Sequence, residues 1–225
     1  KETTLEVLLS FQDSIKDDFP VKKDRRKIEG GFQFGEDSPP KVIASSSVVD
    51  GYWFHSNDGH KIVQARLDGF TFNRLKPYSS WEEFNGEANK LWHHFIKIAK
   101  PAKVSRLALR YINRIELPLP LKDFKEYILT IPEIGPNIPT GLSDFFARLV
   151  IPHMDKNLTA VITENIDTKN FSPDKLSLIF DIDVFKQVNL NPDDPAISRI
   201  MEDLRNFKNE IFLNSLTDRA KELFR

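Results

Sequence analysis

Between Val49 and Arg74 three short runs of strand-forming residues are separated by two sets of turn residues; no other stretch constrains the fold as tightly. Val49–His55, Lys61–Leu67 and Phe70–Arg74 read as strands, rich in β-branched and aromatic residues and bounded by turn residues. Ser56-Asn57-Asp58-Gly59 supplies the first reversal. Asp68-Gly69 supplies the second, where a hairpin turn asks for positive φ. The segment predicts a three-stranded antiparallel meander.

Around it the helical signals are equally local. Leu5, Leu8, Leu9, Ile15 and Phe19 keep helical spacing up to Pro20, which has no N–H to continue a helix. Ser80 can cap a helix whose apolar face runs Trp81, Phe84, Ala88, Leu91, Trp92, Phe95 and Ile98 before Pro101 stops it. The basic run Lys22–Lys27 reads as a solvated loop, and Asp37-Ser38-Pro39-Pro40 as a second loop.

Val104–Leu117 is a further strand, Lys122–Leu129 a short helix, and Phe145–Ile151, Leu158–Asn165 and Leu176–Phe185 three more strands. Asp194-Pro195 opens a long helix with the core face Ile197, Ile200, Met201, Leu204, Phe207 and Ile211, and Thr217-Asp218 starts a last short one. Three strands then a long helix thus occurs twice, in 49–98 and 145–213, without a residue-level repeat. The expected fold is α+β and mainly antiparallel. It is expected to form one compact domain, 1–225, from two pseudo-symmetric βββα-type halves, 1–118 and 119–225, with packed long helices.

Period-2 geometry gives Val104–Leu117 two faces. Leu107, Leu109, Tyr111, Asn113, Ile115 and Leu117 share the core face, and Arg106, Arg110 and Arg114 line the other. Guanidinium forks at that spacing suit phosphate or carboxylate recognition, so these three are the anion-binding candidates. Asp181 and Asp183 share one strand face and can meet the arginines as cross-strand ion pairs, the commoner use of such charges. They are also weak metal candidates, lacking a third oxygen ligand. Tyr111 and Asn113, among apolar neighbours, call for buried hydrogen bonds.

Other charge patterns are weaker. Lys22, Lys23, Arg25 and Arg26 are candidate nucleic-acid contacts, with Tyr52, Trp53 and Phe54 able to stack on bases, although a strand alternating between core and helix explains those aromatics more simply. Asp155…Asp167-Thr168-Lys169 loosely imitates a metal-dependent nuclease. His55 and His60 flank one turn, and His93 and His94 diverge on one helix; neither pair has metalloenzyme spacing. Gly141-Leu142-Ser143-Asp144-Phe145 is no nucleophile elbow, and no phosphate-cradling Gly-rich loop occurs among 9 glycines.

The stretch Arg106-Leu107-Ala108-Leu109-Arg110-Tyr111-Ile112-Asn113-Arg114-Ile115-Glu116-Leu117-Pro118 resembles the signature strand of the TIGR04255 family of sporadically distributed prokaryotic proteins. The Trp53…Asp58-Gly59…Gln64…Asp68…Phe70 meander, the Trp81/Phe84 helix, Asp181-Ile182-Asp183-Val184-Phe185 and Leu216-Thr217-Asp218 extend the likeness over about residues 1–225. The resemblance implies no established activity, cofactor or catalytic residue. The family's patchy occurrence implies mobile or defence-associated genes. Its members carry a strand before the first helix, and the start at Lys1 fits a missing N-terminal piece.

Composition bounds the rest. Zero Cys excludes disulfides and thiol chemistry, and 32 basic against 33 acidic residues give no bulk attraction to nucleic acid or anionic lipid. No apolar run approaches a membrane span, and a cytoplasmic location is expected. A non-enzymatic binding or interaction protein is expected, with no cofactor and with a protein partner or self-association. The alternatives are an anion, nucleotide or nucleic-acid binder and, behind it, a metal-dependent phosphoryl-chemistry enzyme.

Overall fold

A computed structural model describes residues 3–35, 38–135, 137–138, 142, 144–168 and 172–224, of which 28–35 and 38–46 by backbone alone. The fold is α+β, with two antiparallel four-stranded sheets and four α-helices among the described residues. It divides into two compact units, Lys1–Lys103 and Val104–Arg225. Val104–Pro118 therefore opens the second unit.

In the first unit α1 (Leu5–Asp13) starts at Thr4, whose Oγ1 accepts from the Val7 N–H at 3.3 Å. Regular helix ends at Asp13, short of Pro20. Two further turns still carry Ile15 and Phe19 into the core, with Phe19 N–H donating to the Ile15 carbonyl at 2.8 Å. Next come β1 (Val21–Gly35), β2 (Ser38–His55), β3 (Lys61–Arg66) and β4 (Gly69–Arg74), hydrogen-bonded in that order. The predicted meander is β2–β3–β4. Its first turn closes at Gly59 (φ 71°), which Asp58 ties down by accepting from Ser56 Oγ (2.6 Å) and the His60 N–H (2.9 Å). The second reversal falls one residue earlier than expected, at Leu67-Asp68, and neither Asp68 nor Gly69 takes a positive φ.

Two expected loops are strand instead. Lys22–Lys27 lies inside β1, because backbone pairing to Val48–Phe54 accommodates charge on an edge strand. Ser38–Pro40 begin β2, while Asp37 lies outside the described residues.

The helix α2 (Trp81–Ala99) runs from its Ser80 cap to Lys100 in the left-handed region. With α1 it covers one face of the sheet. Phe11 meets Phe54, Phe70 and Phe95 edge-on at 6.2, 6.3 and 5.4 Å, and Tyr52, Val63, Ala65 and Phe72 complete the buried cluster. Each fully buried Phe contributes about 1.5–3 kcal/mol.

The second unit contains β5 (Val104–Pro118), β6 (Phe146–His153), β7 (Leu158–Ile166) and β8 (Lys175–Leu190), in spatial order β5-β8-β7-β6. The last three form a hairpin meander, and β5 returns to lie beside β8, a Greek-key order. The echo of element order between the halves thus does not extend to strand order. The short helix expected over 122–129 is a single 3₁₀ turn, Phe124–Glu126.

The helix α3 (Ala196–Ser215) lies against β5 and β8, burying Leu204, Phe207 and Ile211 with Leu178, Phe180, Ile182 and Val184. Its cap position is Pro195, not Asp194, yet Asp194 Oδ1 still accepts the Ala196 N–H at 2.9 Å. The helix α4 (Asp218–Glu222) starts at Thr217 as expected. Among the described residues no helix is long and apolar enough to cross a membrane.

Candidate functional site

The strand arginines of β5 stand on the sheet face turned away from α3, opposite the face that buries Leu109, Ile115 and Leu117. Arg110 forks onto Asp181, with Nε at 2.8 Å from Oδ1 and Nη2 at 2.5 Å from Oδ2. That hydrogen bond raises the guanidinium's already high pKa, with burial opposing it. Arg106 Nη2 donates to Asp183 at 3.0 Å and its guanidinium lies over the Phe185 ring. Arg114 holds Glu116 at 2.7 Å, Ser177 at 2.8 Å and Asp167 at 3.1 Å. Bonds from Arg114 and Ser177 keep the Glu116 carboxyl below its usual range.

The three anion-binding candidates are therefore each engaged by a carboxylate, and an incoming anion would have to displace one. The weak metal candidates Asp181 and Asp183 are the carboxylates that neutralise Arg110 and Arg106. Among the described residues no three His, Asp or Glu side chains gather into a metal-binding group. Asp167 of the nuclease-like triple binds Arg114, and Lys169 lies outside the described residues, as do Gly141 and Ser143.

Asn113 makes its hydrogen bond, Nδ2 to the Phe180 carbonyl at 3.0 Å, while Tyr111 lies under the Lys208 ammonium. Phe146, Val150 and Ile112 remain exposed on the arginine face. The β6 edge is blunted by Arg148 and Pro152.

A second surface emerges from the register of the first unit. On its face turned away from α1 and α2, strand pairing sets side chains in rows across all four strands. One row is Lys23, Trp53, Gln64, Thr71. The next, about 6.8 Å along the strands, is Arg25, Gly51, Arg66, Gly69, and on the other side lies Val21, His55, Ile62, Asn73. Trp53 is 38% exposed in the middle, whereas its neighbours Tyr52 and Phe54 point into the core. Alternation between core and helix therefore does not account for Trp53, whose face carries neither α1 nor α2.

The basic run is split the same way. Lys23, Arg25 and Lys27 share the Trp53 face; Lys22 and Arg26 take the other parity, with the Lys22 ammonium over the Tyr52 ring at 4.8 Å. Arg25 pairs with Asp50, and Arg66 Nε lies 3.3 Å from Asp68. The His55 ring stands edge-on to Trp53 at 6.5 Å, and burial together with the Lys23 charge pushes its pKa down, favouring neutral imidazole. Gly51 lies so close to β3 that a Cβ there would fall 2.3 Å from the Ala65 carbonyl oxygen.

His94 stands on the helix side of the first unit, near Ser14 and Glu87, and His93 Nδ1 bonds the Asn89 carbonyl, while in the second unit His153 packs on Phe207. Gln64 figures in the sequence only through the meander likeness, and Arg66 and Gly51 carry no site signal there. Their signal is the strand register, which sets them beside Trp53 and Arg25. Compared with family models, with curated proteins and with solved structures, the chain matches none.

Proposed function

We propose that this chain is a non-enzymatic binding protein whose recognition surface is the sheet face centred on Trp53. The observation that carries the reading is the exposed indole at mid-sheet, ringed by Lys23, Arg25, Gln64 and Thr71. Tryptophan and arginine dominate the energetics of recognition surfaces, because large flat side chains gain contact at small entropic cost. The same residues have no part in the buried cluster that holds the unit together. The arginine ladder of β5 supports the sheet it stands on: each guanidinium neutralises a carboxylate of its own unit. The likeness to the sporadically distributed prokaryotic family is consistent with a binding role and adds no chemistry.

The test places a photoreactive benzophenone amino acid at position 64 of the full chain in living cells, with position 97 on α2 as control. Irradiation should give a discrete adduct from position 64 that disappears when Trp53→Ala is added. Equal labelling from both positions, or an adduct indifferent to Trp53, refutes the reading.

A further inference from the structure

We propose that the occupant of the Trp53 face is single-stranded nucleic acid, with a base stacked on the Trp53 indole and the phosphates drawn to Lys23, Arg25, Lys27 and Arg66. The inference rests on reading that face as a recognition surface and names its ligand.

Charge complementarity is the first argument. Residues 21–27 carry five cations and one acid, Asp24. Strand alternation then puts Lys23, Arg25 and Lys27 on the Trp53 side and Asp24 on the other. Arg66 adds a cation from β3, its guanidinium lying over Gly69, where a Cβ would meet Nη2 at 2.5 Å. Two acids oppose them among the described residues, Asp50 on Arg25 and Asp68 on Arg66; both arginines keep part of their surface in water, where a phosphate can share them, and Lys23 has no carboxylate in its row.

Shape is the second argument. The sheet face opposite α1 and α2 is open, and an indole 38% exposed on it offers a stacking surface to a base that has left its stack, as the bases of a duplex have not. Gly51 and Gly69 flank Arg66 in the row next to Trp53: the guanidinium fills the space over Gly69, and at Gly51 the floor is backbone, so a ribose-phosphate chain can approach on that side. Gln64 and Thr71, in the row of Trp53, bring amide and hydroxyl groups suited to base edges. An acidic peptide would satisfy the cations and leave the indole and the amide without purpose. His55 buttresses the indole edge-on and is held neutral, so it works as packing at neutral pH.

The experiment is fluorescence anisotropy of the full chain with a labelled oligodeoxythymidylate, in low and moderate salt, against an unlabelled hairpin duplex as competitor. Binding should weaken about 5- to 150-fold in Trp53→Ala, the range for loss of one base–aromatic stack, and survive largely in Trp53→Phe. Lys23→Gln should lower the log–log salt slope by about 0.7, one phosphate contact on a single strand, while Lys97→Gln on α2 leaves it unchanged. Tryptophan fluorescence of Trp81 and Trp92 in urea checks that each variant is folded. No binding in low salt, binding indifferent to Trp53→Ala, or competition by duplex as strong as by single strand overturns the inference. If crosslinking from position 64 remains dependent on Trp53 while the oligonucleotide does not bind, the ligand class is wrong and the surface stands. If both fail, the surface falls too.

Discussion

Three glycines of the first unit make a steric test of the structure, because alanine at each should change stability with a different sign or cause. At Gly51 the new Cβ would lie 2.3 Å from the Ala65 carbonyl oxygen and 2.8 Å from the Arg66 Cα, both backbone atoms of β3. No rotamer relieves that contact; β2 and β3 must separate at their pairing. Overpacking costs about 1–3 kcal/mol where side chains can yield, and backbone yields less, so the upper end applies. Removing glycine's unfolded-state freedom returns about 0.5–1 kcal/mol. The net loss for Gly51→Ala is about 2 kcal/mol.

At Gly59 nothing lies within 4 Å, but φ is +71°, so Gly59→Ala loses about 1–2 kcal/mol from conformation alone. Gly86 stands inside α2 with open space around it, and Gly86→Ala should gain about 0.8–1 kcal/mol of helix propensity. The assay is urea unfolding followed by tryptophan fluorescence. All three tryptophans, Trp53, Trp81 and Trp92, belong to the first unit, so the signal follows that unit. With a slope of about 1–3 kcal/mol per molar urea, Gly51→Ala should move the midpoint down by about 1 M. A Gly51→Ala midpoint equal to the parent, or a Gly86→Ala midpoint below it, refutes the packing described.

Glu164 is fully buried on β7, with Thr130 Oγ1 bonded to Oε1 and Oε2 left without a partner. Burial raises its pKa above the unfolded value, so its contribution to stability is complete below the unfolded carboxyl range and lost as pH rises through the folded value. Denaturation at a series of pH values should show Glu164→Gln overtaking the parent as pH rises; parallel curves would sink this account. Lys208 behaves oppositely in sign: burial, helped by Arg205, lowers its pKa to about 8. The unfolded state then holds the extra proton, and stability should climb between about pH 8 and the ordinary lysine range, a climb that Lys208→Met abolishes. Arg110→Ala should cost more alone than in a chain already carrying Asp181→Asn, because it leaves a buried carboxylate, only 13% exposed, without its guanidinium partner; additive losses in the double-mutant cycle would mean the two do not interact.

Legibility in the sequence followed burial pattern. The helix α2 was readable because its cap, its apolar face and its stop are all local signals: Ser80, Trp81 to Ile98, Pro101. The strand β1 was not, since its first half is charged on both parities and offers no alternation; pairing to β2 is what makes it a strand. The Arg110–Asp181 contact was foreseeable from period-2 spacing on two strands. The outward turn of Trp53 was not, because Tyr52, Trp53 and Phe54 are apolar on both parities, and only the register with Lys23 and Gln64 assigns the sides. Strand order in the second unit likewise depends on long-range pairing, which no local pattern encodes.

That pairing sets a schedule for synthesis. His55 meets Ile62 within a few residues, so the first meander can close almost as it leaves the ribosome. The second unit has no such option for its first strand, whose Arg110 must wait for Asp181, 71 positions later. At about 5–20 residues per second that wait lasts about 4–14 s. Through it β5 carries Leu109, Ile115 and Leu117, all buried at the end, with no strand beside it. On its other side three arginines against one carboxylate, Glu116, leave a net positive charge that disfavours pairing of this strand with a second copy of itself until the aspartates arrive.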